Sequence, residues 1–141
     1  LLEEKPVRSV FLQGLLGSSV PMFFAPLQEK MDRTVLFVLN DADEAGYFYH
    51  DLTQMMGQEN AFFFPSSYRR AIKYGQRDAA SEILRTEVLA RLSSESSSAS
   101  GGIYIVSYPA ALAEMVVGKQ QLDDRILRLQ VGQQVSLTYL A

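Results

Sequence analysis

Strand-like and helix-like patterns alternate along the chain. Five short runs rich in apolar and β-branched residues predict strands, at Val7–Gln13, Thr34–Leu39, Ala61–Phe64, Ile103–Val106 and Ile126–Val131. Four segments between them predict helices, at Ser18–Met31, Asp41–Met56, Asp78–Leu92 and Ala110–Val117. This alternation predicts an α/β fold with a doubly wound, mainly parallel sheet that carries helices on both of its faces.

Breaking residues and periodicity refine two of these helices. Pro26 lies in the middle of the first predicted helix and is expected to kink or shorten it, because proline cannot donate a backbone hydrogen bond. The helix predicted at Asp78–Leu92 has the clearest periodicity, and one apolar face is expected to contain Ala80, Leu84, Val88 and Leu92.

One segment of low complexity interrupts the pattern. Residues 93–102 (SSESSSASGG) are too polar to pack and predict a flexible Ser/Gly loop. Because the strand after this loop continues the same alternation, we expect residues 1–134 to form one domain rather than two. Residues 135–141 end on an apolar, unfinished pattern and are expected to begin a further subdomain.

Composition excludes several functional classes. The chain of 141 residues has no cysteine and a single histidine, His50, which excludes thiolate chemistry and a histidine metal cluster within the chain. A net charge of −3 gives no general attraction to nucleic acid or membrane. The chain begins without methionine or a signal-peptide pattern, so we expect a cytoplasmic fragment of a longer protein.

The first predicted strand runs into a loop placed where a nucleotide-binding phosphate loop would be. That loop has the pattern G-x-x-x-x-G-K-[ST], and Gly14 matches the first glycine. Ser19 replaces the second glycine, Val20 replaces the lysine, and Pro21 replaces the magnesium-binding hydroxyl. A lysine–phosphate bond contributes roughly 1.5–3 kcal/mol. We therefore interpret the segment containing Gly14, Gly17, Ser18, Ser19, Val20 and Pro21 as a degenerate phosphate loop that holds no nucleotide, and expect no cofactor or metal.

Two charged segments are candidates for other chemistry. The run Asn40–Ala45 (NDADEA) follows an apolar strand, as a magnesium-binding acidic box does, but it also fits a helix N-cap with acids in the first turn. The stretch 64–77 interleaves cations with tyrosines. Its candidate contacts to nucleic acid or a partner are Arg69, Arg70, Lys73 and Arg77, although a solvated loop is the simpler interpretation.

Several segments together resemble a known family. The runs GLLGSS, DADEA, FFFPSSYRR, RTEVL and IVSYPAAL, in this order, resemble the amino-terminal UvrB-like module of bacterial transcription-repair coupling factors. The resemblance covers nearly the whole chain, and its most specific pieces are FFPSSY, RTEVL and SYPAAL. It implies a P-loop NTPase-like fold whose ATP site has been lost, which agrees with Val20 and Pro21.

The resemblance also implies a function. The parent protein would be an ATP-dependent DNA translocase, a helicase-like hydrolase that displaces stalled RNA polymerase and recruits UvrA during transcription-coupled DNA repair. Its motor and polymerase-binding domains would lie downstream, and the UvrA-binding subdomain would begin near Val135. No catalytic residue is carried over to this chain, which would act as a non-catalytic scaffold.

Two alternatives stay open from the sequence. One is a small nucleotide-binding α/β enzyme with an atypical phosphate loop. The other is direct, weak and salt-sensitive DNA binding through the basic stretch. The partners implied by the resemblance are the rest of the same chain and, through the parent protein, UvrA, RNA polymerase and double-stranded DNA.

Overall fold

The computed structural model of the chain describes residues 9–31, 33–68, 78–94, 102–116, 118 and 121. Within these ranges the chain forms a small parallel sheet with helices packed against it. The strands are β1 (Val35–Val38), β2 (Ala61–Phe63) and β3 (Tyr104–Ser107). The helices are α1 (Ser19–Phe24), a 3-10 helix (Ala25–Lys30), α2 (Ala42–Met56), α3 (Ala79–Ser94) and α4 (Pro109–Leu112).

Strand β3, which follows β1 and β2 in the sequence, lies at the centre of the sheet. The strand order is β1-β3-β2, and both pairings are parallel. Tyr104 is level with Val35 on one side and with Ala61 on the other. All four residues of β3 are buried, whereas β1 alternates between half-buried and exposed positions. The apolar run at 103–106 is thus explained, because a central parallel strand is covered on both faces.

Helices α2 and α3 cover opposite faces of the sheet. Tyr49 of α2 stacks on Phe63, with ring centroids 5.4 Å apart. On α3, the guanidinium of Arg85 lies 4.1 Å from the ring centroid of Phe64. Phe63 and Phe64 are consecutive residues of extended chain, so their side chains point to opposite faces. The predicted mixed α/β fold, with a parallel sheet and helices packed against it, is confirmed, whereas the P-loop NTPase-like fold stays a prediction.

An aromatic cluster joins the α2 face of the sheet to the amino-terminal helices. Phe37 of β1 contacts Phe24, Phe48 and Tyr104, with ring centroids 4.9 to 5.1 Å apart. The hydroxyl of Tyr104 donates a 2.8 Å hydrogen bond to the carbonyl of Phe24, so this buried phenol is satisfied. Burial raises the pKa of Tyr104. Edge-to-face packing of this kind contributes beyond simple area burial.

Proline divides the first predicted helix as expected. The α-helix ends at Phe24, and the chain continues as a 3-10 helix with Pro26 near its first turn. Gln28 of that helix is buried and donates a 2.8 Å bond to the carbonyl of Gly102. A side chain added at Gly102 would overlap the backbone of Arg33, which explains why glycine stands there.

Three predictions about elements need correction. No strand forms over residues 9–13, where Val10, Phe11 and Leu12 are exposed and enter no sheet ladder. An extended segment becomes a strand only when another strand pairs with it. Ser93 and Ser94 belong to α3 rather than to the predicted Ser/Gly loop, and Gly102 is buried. The rest of that loop, the strand predicted at 126–131 and the boundary at 134/135 lie outside the described residues.

The third correction concerns the inner face of α3. Ala80 is exposed and Leu92 is 40% exposed, although both were predicted on the apolar face. Val88 is buried as expected, and the buried residue one turn earlier is Arg85. The inner face of α3 thus includes a charged residue, Arg85, which a search for apolar periodicity does not find.

No helix within the described ranges has both the length and the apolar character needed to cross a membrane.

Candidate functional site

Residues 14–21, predicted to be a degenerate phosphate loop, contain a tight turn that the Ser19 side chain closes. Gly14 and Gly17 have φ values of +87° and +54°, a region that glycine adopts without steric cost. The hydroxyl of Ser19 accepts a 2.6 Å bond from the amide of Leu16 and donates a 2.7 Å bond to the carbonyl of the same residue. These contacts already use groups that a phosphate cradle would offer to its ligand.

The surroundings of this loop are unfavourable for phosphate. The hydroxyl of Ser18 donates a 2.6 Å hydrogen bond to the carboxylate of Asp51 on α2. Helix α1, which begins one residue later, has only six residues, and Pro21 in it is buried and lacks an N–H group. A carboxylate beside the start of α1 would repel a phosphate group there.

The acidic segment after β1 caps α2. Asp41 is the N-cap, and its side chain accepts a 2.9 Å bond from the amide of Glu44. Glu44 in turn accepts bonds from both the backbone and the side-chain nitrogen of Asn40, at 3.1 Å and 2.7 Å. This reciprocal arrangement is a variant of the capping box. In the part of the chain that the structure describes, no three acidic or histidine side chains are grouped to hold a metal ion.

The four candidate contact cations, Arg69, Arg70, Lys73 and Arg77, lie outside the described residues. The residues on either side of them are described. The amide of Asp78 donates a 2.8 Å bond to the carbonyl of Ser67, which brings the two ends of the basic stretch together. Ser67 and Asp78, which lie on either side of the four cations in the sequence, are therefore at one place on the domain.

A buried polar cluster at this place was not predicted from the sequence. Glu114, which follows α4, accepts bonds from Ser66 and Ser67 in the segment that follows β2. The Ser67 hydroxyl donates at 2.6 Å to Oε2 and its amide lies 3.0 Å from the same atom, while the Ser66 hydroxyl donates to Oε1. We call the donor groups of Ser66 and Ser67, together with the guanidinium of Arg85, the Glu114 cradle.

Arg85 supplies the positive charge of the cradle. Its Nη1 lies 3.4 Å from Oε2 of Glu114, and only 8% of the Arg85 side chain and 14% of the Glu114 side chain are exposed. The same nitrogen donates to the carbonyl oxygens of Pro65 and Ala111, at 2.8 Å and 3.1 Å. Arg85 therefore joins the end of β2, α3 and α4 through a single guanidinium group.

The cradle also determines the charge state of Glu114. Burial alone would raise the pKa of this carboxyl, but hydrogen bonds from Ser66 and Ser67 and the charge of Arg85 together lower it. Glu114 is therefore ionised at neutral pH, and the cluster holds a buried ion pair that hydrogen bonds satisfy. Next to it lies an open cavity of about 550 Å³, bordered by Tyr68, Thr86 and Leu89 among others.

The three most specific segments of the sequence pattern meet in this cluster. FFPSSY contributes Phe64, Ser66 and Ser67, RTEVL contributes Arg85, and SYPAAL contributes Tyr108 and Ala111. The Tyr108 hydroxyl accepts a 2.9 Å bond from the amide of Ser66. Co-occurrence of these segments was the only sequence signal that could have pointed to the cluster.

Comparison with known proteins gives no further assignment. No protein-family model, no curated protein and no solved structure matches this chain.

Proposed function

We propose that this chain is a non-catalytic, UvrB-like scaffold module of a transcription-repair coupling factor. The observation that carries the proposal is that FFPSSY, RTEVL and SYPAAL, the segments on which the resemblance depends, meet in one buried ion-pair cluster. The cluster is built to hold three elements together. Its charged groups bond to one another and to backbone carbonyls, so they serve the fold rather than a reaction.

The loop geometry supports the non-catalytic part of the proposal. The Ser18 hydroxyl is committed to Asp51 and the Ser19 hydroxyl to Leu16. A small nucleotide-binding enzyme, the alternative, would need these groups and an adjacent cation for the phosphates. Residues 9–13 also lack the strand that fixes such a loop at a sheet edge.

In the parent protein the module would present the UvrA-binding subdomain and pack against the translocase motor. Helix α4 and the segment after it are the part of the described chain that leads towards that subdomain. By joining this segment to β2 and α3, the cluster would fix the position from which the next subdomain starts.

The test compares UvrA capture by two purified chains, one ending at residue 141 and one extended through the following subdomain. The extended chain is expected to capture UvrA, and the chain of 141 residues is not. Glu114→Ala in the extended chain should weaken capture, whereas the surface variant Glu59→Ala should leave it unchanged. Failure of a folded extended chain to bind UvrA would contradict the proposal.

A further inference from the structure

The Glu114 cradle has the composition of a carboxylate-binding site. Three hydrogen-bond donors converge on Glu114, namely the hydroxyls of Ser66 and Ser67 and the amide of Ser67, and the charged Nη1 of Arg85 lies 3.4 Å from its Oε2. Ser67 and Arg85 are each more than nine-tenths buried. Charge-assisted bonds of this kind are among the stronger ones in proteins.

The backbone of Ser66 and Ser67 and the Arg85 guanidinium are held in place by contacts that do not involve Glu114. Nη1 of Arg85 bonds to two backbone carbonyls, and its guanidinium lies over the ring of Phe64. The Ser66 amide donates to Tyr108, and the Ser67 carbonyl accepts from Asp78. We therefore expect the cradle to keep its shape when the carboxylate leaves.

The carboxylate itself comes from a short segment with exposed residues on its far side. Helix α4 has four residues and ends at Leu112, two positions before Glu114. Beyond Glu114, Met115 is 98% exposed and Val116 is half exposed. The open cavity beside the cradle gives room for another segment to approach.

We propose that the Glu114 cradle is an exchangeable carboxylate-binding site, which the chain's own Glu114 occupies and which a glutamate or aspartate side chain of another polypeptide takes when the segment 113–116 moves away. Glu114 then acts as a tethered ligand of the domain. Its release exposes Ser67 and Arg85 to the incoming carboxylate and frees the chain after α4 from the end of β2.

The first experiment tests whether the vacated cradle binds a free carboxylate. Glu114→Ala is expected to gain thermal stability on titration with sodium acetate, in a saturable manner, relative to sodium chloride at equal ionic strength. The native chain should show no such gain, because its own carboxylate competes. The double variant Ser67→Ala/Glu114→Ala should bind acetate about tenfold more weakly or worse, since it lacks a hydroxyl that donates to the charge.

The second experiment tests exchange with a polypeptide. A fluorescent peptide of residues 109–116 with blocked termini is titrated with the variant Glu114→Gln. Glutamine has nearly the shape of glutamate, so this variant can be used even if Glu114→Ala does not fold. Binding is expected, and a peptide with glutamine in place of its glutamate should bind about tenfold more weakly or worse. The native chain should bind the glutamate peptide more weakly than Glu114→Gln does.

Each outcome bears on the proposal. Acetate rescue that needs Ser67, together with glutamate-dependent peptide binding, supports it. Acetate rescue without peptide binding contradicts exchange with a polypeptide. If neither acetate nor the peptide binds a folded variant, Glu114 is a fixed structural group and the proposal is wrong.

Discussion

Replacing Glu114 with alanine should strongly destabilise the domain. The substitution removes acceptors for the Ser66 hydroxyl and for the hydroxyl and amide of Ser67, and it leaves the buried Arg85 guanidinium without its counter-charge. Removing one partner of a buried ion pair costs about 3–5 kcal/mol.

We place the expected loss at the low end of that range, for two reasons visible in the structure. Arg85 keeps its bonds to the carbonyls of Pro65 and Ala111, and water reaches 14% of the Glu114 side chain. The free energy of unfolding should therefore fall by about 3 kcal/mol. For a domain whose total stability is about 5–15 kcal/mol, this is a large fraction.

Urea unfolding at neutral pH, followed by circular dichroism, measures the effect. The matched control is Glu59→Ala, which removes an exposed glutamate and should change stability by at most about 0.5 kcal/mol. In a double-mutant cycle, Glu114→Ala and Ser67→Ala should show a coupling of about 1–2 kcal/mol, because the two side chains are in direct contact. A loss below about 1 kcal/mol for Glu114→Ala, equal to that of an ordinary surface change, would refute the reasoning.

Three further predictions follow from the same structure. Because the folded-state pKa of Glu114 is lowered, its carboxylate contributes fully to the free energy of unfolding above the ordinary carboxyl range, and this contribution is lost as pH falls through the folded pKa. The difference in the free energy of unfolding between the native chain and Glu114→Gln should therefore shrink on acidification. Urea titrations at several pH values measure it, and a constant difference would contradict this. Gly102→Ala should destabilise the domain by about 2 kcal/mol or more, because the new methyl group overlaps the Arg33 backbone. The control Gly46→Ala, in the middle of α2 where no atom is close, should stabilise the domain by about 0.5–1 kcal/mol. Equal effects of the two changes in thermal unfolding would show that the close approach of Gly102 to Arg33 is unimportant. Asp41→Ala should cost about 1 kcal/mol through loss of the α2 cap, and Asp43→Ala, at an exposed neighbour that makes no cap, should cost clearly less in the same assay.

The elements with strong local signals could be predicted from the sequence. Helix α2 begins after Asp41 and ends before Gly57, because an acidic N-cap and a glycine C-cap are properties of neighbouring residues. Strands β1, β2 and β3 coincide with three of the five predicted runs for a similar reason. A short, continuous apolar run fits a buried parallel strand.

The buried ion pair could not be predicted in this way. Ser66 and Glu114 are 48 positions apart, and no local pattern encodes which side chains meet across such a distance. Periodicity also counts an arginine as a surface residue, so the inner position of Arg85 on α3 was missed. The failed prediction of a strand at residues 9–13 has a related cause, because pairing depends on a partner strand and not on the apolar run itself.

The basic residues Arg69, Arg70, Lys73 and Arg77 remain a prediction for DNA binding that can be measured directly. If Arg69→Ala with Arg70→Ala leaves the DNA affinity of the chain unchanged at low salt, the basic stretch is structural. A loss of affinity that weakens as salt rises would indicate phosphate contacts.

We infer that residues 14–21 form no working phosphate site, and calorimetric titration with a non-hydrolysable ATP analogue and Mg²⁺ tests this most directly. We predict no binding in the micromolar range, either for the native chain or for a variant with Val20→Lys and Pro21→Thr, because Asp51 and the bonds of Ser18 and Ser19 still occupy the loop. Micromolar, magnesium-dependent binding by the native chain would contradict the account and favour a nucleotide-utilising enzyme.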